Sequence, residues 1–226
     1  MASPGYNEYK YKVTNEQLPM IRTLLHNFYG STDHFPEGVV DSIYYDTNDR
    51  KMYQQCANGD LTKSKFRIRG YGGTFNQVQM KSKDMYGVSK YKNAIEPVSM
   101  VGNHIPSWFE LNPAEGKSRK GFDKIQMLAS HFGDLRPVIR VRYFRHRYRV
   151  NDYRITLDSR IEVMGFSNEI DRTMDHGILP HHVLEVKTPD TRPKLPLFGI
   201  TKLPQISCSK FFLGLNQLEH GTTMIA

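Results

Sequence analysis

The chain has 226 residues, 38% of them hydrophobic, which suits a single packed domain over residues 1–226. Its 31 Lys and Arg against 23 Asp and Glu give a net charge of +8, which favours an acidic partner such as phosphate, nucleic acid or an anionic membrane. Two distant cysteines, Cys56 and Cys208, argue against a disulfide scaffold or a zinc site and favour the reducing cytoplasm, and no apolar run approaches the roughly 18 residues of a transmembrane segment.

Period-two and helical spacings of apolar residues predict the secondary structure. Strands are expected at residues 6–13, 39–47, 63–71, 75–83, 88–96, 137–150, 152–163 and 181–188. Helices are expected at residues 15–30, 48–59, 117–133 and 208–218. Asn15 is the expected N-cap of the first helix and Gly30 its end, and Asn151-Asp152 is the expected turn of a hairpin. These elements predict an α+β fold in which eight antiparallel strands form a tunnel-like β-barrel flanked by helices.

The segment KSKFRIRGYGG, residues 63–73, has one apolar and one cationic face if it is a strand. Phe66 and Ile68 point one way, and Lys65, Arg67 and Arg69 point the other. Basic residues recur at period two on other predicted strands, at Lys10, Lys12, Lys81, Lys83, Lys90, Lys92, Arg145, Arg147, Arg149 and Arg154. Each such face could simply be solvated, but like charges on neighbouring strands destabilise a sheet, so their clustering favours a basic lumen that holds a polyanion.

A few carboxylates interrupt the basic faces. Glu185 lies between apolar residues in HHVLEVKT, where it could form a salt bridge with Lys187 or bind Mg²⁺ or Mn²⁺ together with water and substrate phosphate. Asp158 is a weaker metal candidate, for which a salt bridge or a cap at the barrel end is favoured, and Glu8 is intermediate between the two.

Other catalytic signatures are missing from the sequence. His181-His182 has no Ser or Cys partner in a recognisable motif, and there is no phosphate-binding loop of the G-x-x-x-x-G-K-[ST] kind. The aromatic residues interleaved with arginines in RYFRHRYRV would suit stacking on nucleic acid, but in a barrel they would be the alternate-face core.

In its order of motifs the chain resembles the catalytic domain of vacuolar transporter chaperone (VTC) type polyphosphate polymerases, in the triphosphate tunnel metalloenzyme (CYTH-like) superfamily. The resemblance rests on EYKYKV, SIYYDT, KFRIRGYG, QMKSKDMYGVSKYK, PVIRVRYFRHRYRV, RITLDSRIEV, VLEVKT and CSKFFLGL, which span nearly the whole chain. It implies an eight-stranded antiparallel tunnel that holds a nucleoside triphosphate or polyphosphate with a divalent metal.

The resemblance also implies roles for individual residues. The tunnel-lining basic residues of the family match Lys10, Arg67, Arg69, Lys81, Arg145, Arg154 and Lys210. Its metal carboxylate matches Glu185, Ser209 matches a phosphate contact, and either Lys90 or Lys92 matches a further lysine. We assign additional phosphate contacts to Lys83, Arg147 and Lys187, which share these strand faces. Where other members carry a basic residue three positions before the closing lysine, this chain has Ser207.

The chain departs from the first motif of the superfamily, E-x-E-x-K, because Tyr6 stands where the first carboxylate would be, before Glu8 and Lys10. This departure favours a polymerase that transfers the γ-phosphate of ATP to polyphosphate with Mn²⁺ or Mg²⁺. The alternatives are a triphosphatase of the same superfamily, or a module that binds polyphosphate or RNA without turnover. The expected partners are ATP and inorganic polyphosphate, with no specific nucleic acid.

Overall fold

The computed structural model describes residues 6–30, 33–100, 105–166, 176–207 and 209–220. Cys208 and its predicted place at the start of the last helix therefore lie outside the described residues. Cys56 is a free thiol. Within the described part of the chain, no helix is long and apolar enough to cross a membrane.

In the part of the chain that the structure describes, nine strands form one antiparallel sheet. They are β1 Asn7–Val13, β2 Glu37–Asp46, β3 Lys63–Tyr71, β4 Thr74–Asp84, β5 Gly87–Ser99, β6 Arg136–Val150, β7 Tyr153–Gly165, β8 His176–Ile178 and β9 His182–Thr188. Eight of them follow the order β1-β9-β7-β6-β2-β3-β4-β5, and the short β8 pairs with β7 beside this path. The predicted antiparallel α+β fold is confirmed, and β8 is the strand that the sequence did not reveal.

Helices flank the sheet and close its interior. They are α1 Leu18–Tyr29, α2 Lys51–Ala57, α3 Lys120–Ser130, α4 Leu197–Ile200 and α5 Lys210–His220, with a 3-10 turn at Trp108–Glu110. One apolar core contains residues of strands β2, β3 and β4 and of helices α3 and α5. A second contains residues of strands β1, β7 and β9 and of helices α1 and α4. Helices thus cover the sheet outside, while α5 lies against its concave face.

The start of α1 differs from the sequence prediction, because Asn15 is not the N-cap. Gln17 takes that position, and its backbone N–H donates to Thr14 Oγ1 at 3.3 Å, while the Thr14 N–H donates to Gln17 Oε1 at 3.1 Å. This reciprocal pair holds a turn over residues 14–17 ahead of the helix, and the helix itself begins at Leu18 with a proline in its first turn. Gly30 ends the helix at a φ of 58°, as predicted.

The sheet curves around a cavity, but its hydrogen bonding does not close into a full barrel. The end strands β1 and β5 are not paired with each other in the described ladder. The free edge of β1 pairs instead with residues 204–206, through Lys12 N–H to the Pro204 carbonyl at 2.9 Å. The edge of β5 pairs with residues 112–114 in the same way. Each edge is therefore covered in part by an irregular segment, which satisfies some of the backbone donors and acceptors that closure would otherwise pair.

Candidate active site: a basic cavity inside the curved sheet

A cavity of about 200 Å³ lies within the concave face of the sheet. It is lined by Glu8, Lys10, Tyr44, Lys65, Arg67, Arg69, Gln79, Lys81, Lys90, Tyr143, Arg145, Glu185, Lys187, Ser209 and Lys210. Nine of these side chains are basic and two are carboxylates. The lining comes from seven strands and from the start of α5, so residues far apart in sequence meet because alternate positions of each strand point inward.

Most of the residues that the sequence assigned to a site meet here. The cavity contains six of the seven assigned tunnel cations, together with Glu185, Ser209, Lys187 and one of the two alternative lysines. That lysine is Lys90, which lines the cavity, whereas Lys92 does not.

Four assigned residues lie outside the cavity lining. Lys83 and Lys92 are exposed, and Arg147 donates from Nη1 to the Phe35 carbonyl at 3.1 Å. The guanidinium of Arg154 lies 5.3 Å from the centre of the Tyr6 ring. Strand alternation predicts which face of the sheet a residue lies on, but not whether it lies within the cavity along the strand. The cavity spans only part of the length of each strand, so these four residues lie outside it.

Neutral side chains hold the two arginines of β3. Arg67 donates from Nη1 to the Tyr44 hydroxyl at 2.7 Å and from Nη2 to Gln79 Oε1 at 2.7 Å. Arg69 donates from Nε to Ser42 Oγ at 3.2 Å and from Nη2 to the Tyr143 hydroxyl at 3.4 Å. Neither arginine pairs with a carboxylate among the described residues, so their charge stays available to an anion.

Asp158 is a buried counter-ion beneath the cavity. Its two oxygens accept from Arg145 at 2.6 and 2.7 Å, and Lys210 approaches to 2.7 Å. Burial raises the pKa of Asp158, but Lys210 and Arg145 outweigh burial and lower it to about 2. The sequence favoured a salt bridge over a metal ligand for Asp158, and the structure shows that salt bridge.

The start of α5 brings two more polar groups to the cavity. Ser209 accepts a hydrogen bond at Oγ from the Phe212 N–H at 3.3 Å, and Lys65 Nζ donates to the same oxygen at 2.7 Å. The ring of Phe211 stacks on Tyr44 with their centres 5.2 Å apart. Ser209 and Lys210, at the N-terminal end of α5, therefore both line the cavity.

Glu8 and Glu185 form a mixed cluster with two lysines on β1 and β9. Lys187 Nζ lies 2.9 Å from Glu8 Oε2 and 3.4 Å from Glu185 Oε1, and Lys10 Nζ lies 2.9 Å from Glu8 Oε1. Burial alone would raise the pKa of Glu8, but the two lysines lower it well below its usual value. Burial lowers the pKa of Lys187, and Glu185 and Glu8 more than restore it.

Crowding of positive charge changes the protonation of the other lining groups. Burial, followed by Arg67 and Arg69, lowers the pKa of Lys90 to about 8. Burial and neighbouring lysines likewise lower the pKa of Lys81. Burial raises the pKa of Tyr44, but the surrounding cations outweigh burial and lower it to about 8. Each of these shifts disfavours further positive charge, as expected of a cavity built to receive an anion.

A divalent metal has a limited donor set here. In the described part of the chain, no three His, Cys, Asp or Glu side chains come together as a metal cluster. Glu185, with Glu8 beside it, offers one or two carboxylates, and the side chain of Glu185 is 14% exposed. One or two carboxylates are enough to bind Mg²⁺ or Mn²⁺ when water and substrate phosphate supply the remaining ligands. Glu185 and Glu8 therefore fit such an ion.

Several lining residues were not assigned to the site from the sequence. Tyr44, Gln79 and Tyr143 are neutral, and Lys65 was noted only as part of the cationic face. Three of these four lie two positions before an assigned cation, namely Lys65 before Arg67, Gln79 before Lys81 and Tyr143 before Arg145. The two-residue spacing along the strands could therefore have identified these three residues. The sequence analysis selected charged residues, so it missed the neutral Gln79 and Tyr143.

Comparisons with known proteins relate this chain to one family. A family model described as VTC domain matches residues 5–219. No curated protein matches the chain. Similar solved structures include a candidate adenylate cyclase from Bacillus halodurans, with 15% identity, 83% of this chain and 82% of that chain covered, and a TM-score of 0.47. The PH1012 protein from Pyrococcus horikoshii OT3 has 11% identity, covers 84% and 81% of the two chains, and gives a TM-score of 0.40.

Proposed function

The chain belongs to the VTC domain family, and from this membership and its basic cavity we propose that it is a polyphosphate polymerase. The enzyme transfers the γ-phosphate of ATP to the end of a growing inorganic polyphosphate chain and releases ADP. Mn²⁺ or Mg²⁺ is the proposed metal, and the cytoplasm is the proposed compartment.

The observation that carries this proposal is the charge of the cavity. Among the described residues, nine basic side chains surround about 200 Å³ of space, and the lining acids are Glu8 and Glu185. Phosphoryl transfer needs positioning and neutralisation of charge more than covalent work by the protein. Arg67 and Arg69, held by neutral partners, supply planar donors to phosphate oxygens, and the lysines supply point charges.

The same charge balance favours a phosphate acceptor over water. The terminal oxygen of a polyphosphate chain is already anionic near neutral pH, so its attack needs no general base. Hydrolysis needs a group that orients and activates water. Lys10 and Lys187 each lie 2.9 Å from Glu8 and hold its pKa well below its usual value, which makes Glu8 a poor base.

Glu185, with Glu8, would hold the metal. The ion, when bound, supplies positive charge that offsets the charge of the transferring phosphoryl group. The cations of β3, β4 and β6 position the phosphates, together with Lys210 at the start of α5.

The test is a product analysis with purified protein, ATP and Mn²⁺, resolved for ADP, orthophosphate and polymer. We expect ADP and polyphosphate to appear together, with little orthophosphate. The Arg67→Ala variant should lose both products, and Lys92→Ala, outside the cavity lining, should retain them. Release of orthophosphate without polymer would identify a triphosphatase instead. No turnover, despite tight binding of polyphosphate, would identify a binding module.

A further inference from the structure

A second cavity lies on the other face of β6, away from the basic cavity. It has a volume of about 460 Å³ and lies between α1 and the strands β2, β6 and β7. Residues that face it include Leu18, Arg22, Val39, Arg142, Phe144 and Arg160. Its size falls in the range of small-molecule sites, roughly 300–1,000 Å³.

Three arginines from three different elements converge on this outer cavity. Arg22 comes from α1, Arg142 from β6 and Arg160 from β7, and all three are exposed. Among the described residues none of their guanidinium groups donates a hydrogen bond or forms an ion pair. Among the described residues of the lining the acidic one is Glu162, which lies opposite Arg142 in the β6–β7 ladder and is also close enough to Arg140 to interact with it. Three arginines against one glutamate leave the outer cavity with an excess of positive charge.

The backbone of β7 is distorted where it presents Arg160. Between the pairs Arg142 with Glu162 and Phe144 with Ser159, β6 advances by two residues and β7 by three. This is a β-bulge, and Arg160 adopts the left-handed conformation with a φ of 50°. Such a conformation is unfavourable for a residue with a Cβ, and bulges commonly re-aim a side chain toward a functional site.

The wall behind the arginines is apolar and aromatic. The rings of Phe144 and His146 meet edge to face with centres 4.9 Å apart, and Leu18 and Val39 also face the cavity. An inorganic anion would use the arginines alone. A ligand with an organic body could also pack on this wall.

We propose that this outer cavity is a binding site for a small phosphate-bearing ligand, separate from the basic cavity. Arginine suits phosphate because its planar donors match the phosphate oxygens in pairs, and three guanidinium groups can enclose one or two phosphates. The bulge at Arg160 serves to aim the third of them. The site stands independently of the polymerase activity, because the two cavities open on opposite faces of β6 and share Tyr143 as their common wall.

The test measures binding of pyrophosphate and of ADP by calorimetry in the Arg67→Ala/Arg69→Ala protein, in which the basic cavity is weakened. Arg160→Gly then removes the guanidinium, and glycine accepts the left-handed conformation, so folding should be unchanged or improved. Arg22→Gln, on the exposed face of α1, is a second variant that leaves the sheet intact. The matched control is Arg50→Gly, since Arg50 also has a positive φ, 57°, but lines neither cavity.

We expect both Arg160→Gly and Arg22→Gln to weaken binding about tenfold or more, as for the loss of a charge-assisted hydrogen bond, and Arg50→Gly to leave binding unchanged. Tighter binding of ADP than of pyrophosphate would identify a nucleotide as the source of the phosphate, and equal binding would identify an inorganic ligand. Absence of binding at millimolar concentration, or binding that neither variant alters, would overturn the proposal. So would capture of an acidic peptide by a protein that binds neither phosphate compound.

Discussion

The protonation of single residues in the basic cavity is affected by the high density of positive charge around them. The pKa values of Lys90 and Tyr44, both lowered to about 8, report this crowding. A bound phosphate chain would neutralise the cations around both groups. Their pKa values should then return toward the usual range for lysine and tyrosine, which is higher.

The first prediction is that the protein takes up protons when tripolyphosphate binds at a pH near 8. In the free protein both Lys90 and Tyr44 are partly deprotonated at that pH, and binding raises both pKa values. Calorimetry in buffers of different ionisation enthalpy measures the uptake. Lys90→Arg and Tyr44→Phe should each reduce it, whereas Lys92→Arg should not. Equal uptake in all four proteins would show that these groups do not face the anion.

The second prediction concerns the proposed metal ligand. Glu185→Gln keeps the volume of the side chain but removes its charge, so metal-dependent turnover should fall by at least about 10²-fold while the fold persists. Glu96→Gln, on the exposed side of β5, is the control. Circular dichroism checks the fold. Activity like that of the unchanged protein at saturating Mn²⁺ would remove Glu185 from this role.

The third prediction is that Asp158→Asn destabilises the protein strongly, by about 3–5 kcal/mol, because it removes the buried carboxylate that pairs with both Arg145 and Lys210. Asp134→Asn breaks an exposed pair with Arg136 and should cost less than about 1 kcal/mol. Urea unfolding at neutral pH measures both. Similar losses for the two variants would contradict the assigned role of Asp158.

The pH dependence of stability follows from the same residue. The folded pKa of Asp158, about 2, lies below the ordinary value of an unfolded aspartate, about 4. Its stabilisation is therefore complete above pH 4 and is lost as the pH falls through 2, and the difference of about two pKa units corresponds to roughly 3 kcal/mol. The Asn variant should lack this part of the acid transition.

At the residue scale, the sequence predicted the charged part of the site and missed the groups that orient it. Arg67 and Arg69 were identifiable because strand alternation and the family pattern both mark them, whereas Lys210 was identifiable from the family pattern alone. The hydrogen bonds of Arg67 to Tyr44 and Gln79 join β3 to β2 and β4, and no local pattern encodes such pairings. The sequence also does not show how far along each strand the cavity extends. For this reason Arg154 and Lys83 were assigned to the site although they lie outside the cavity lining.

At the scale of elements, α5 determines where Lys210 lies. This helix packs against the concave face of the sheet at Gly214, where an added Cβ would lie 2.8 Å from Ile139 Cδ1 and 2.8 Å from Val163 Cγ1. Real Cβ atoms do not approach so closely, so any larger residue must push the helix or its neighbours aside.

The fourth prediction is that Gly214→Ala lowers stability by about 1–3 kcal/mol through overpacking and also weakens binding of tripolyphosphate, because it shifts the helix that carries Lys210. Gly199→Ala, in the short helix α4, is the control, since nothing lies within 4 Å of its added Cβ. Thermal unfolding and calorimetry measure the two effects. Full affinity in a destabilised Gly214→Ala protein would separate α5 from the site.

The elements themselves were largely predictable, because long strands and amphipathic helices carry clear periodicity. The edges of the sheet were not. Residues 204–206 and 112–114 cover β1 and β5 through backbone hydrogen bonds, which depend on tertiary position rather than on side-chain pattern. The three-residue β8 is too short to show a period, and it forms because β7 offers it a free edge.

At the scale of the whole molecule, the basic cavity opposes folding until an anion fills it. Its nine cations repel one another across a space of about 200 Å³, and they are only partly balanced by Glu8, Glu185 and Asp158. A ligand that binds only the folded protein stabilises it, by about 2.7 kcal/mol at a hundredfold excess over Kd. The cavity is enclosed by the sheet, so salt should weaken this effect less than it weakens binding to an exposed surface.

The most direct test of the central claim, that the basic cavity holds a phosphate chain, is a thermal-shift measurement with tripolyphosphate. We expect tripolyphosphate at millimolar concentration to raise the Tm of the protein and of Arg160→Gly, and to raise that of Arg67→Ala/Arg69→Ala far less. The increase should persist in moderate salt, and a short single-stranded RNA should produce a smaller one. No shift with tripolyphosphate, or an equal shift in the Arg67→Ala/Arg69→Ala protein, would contradict the claim.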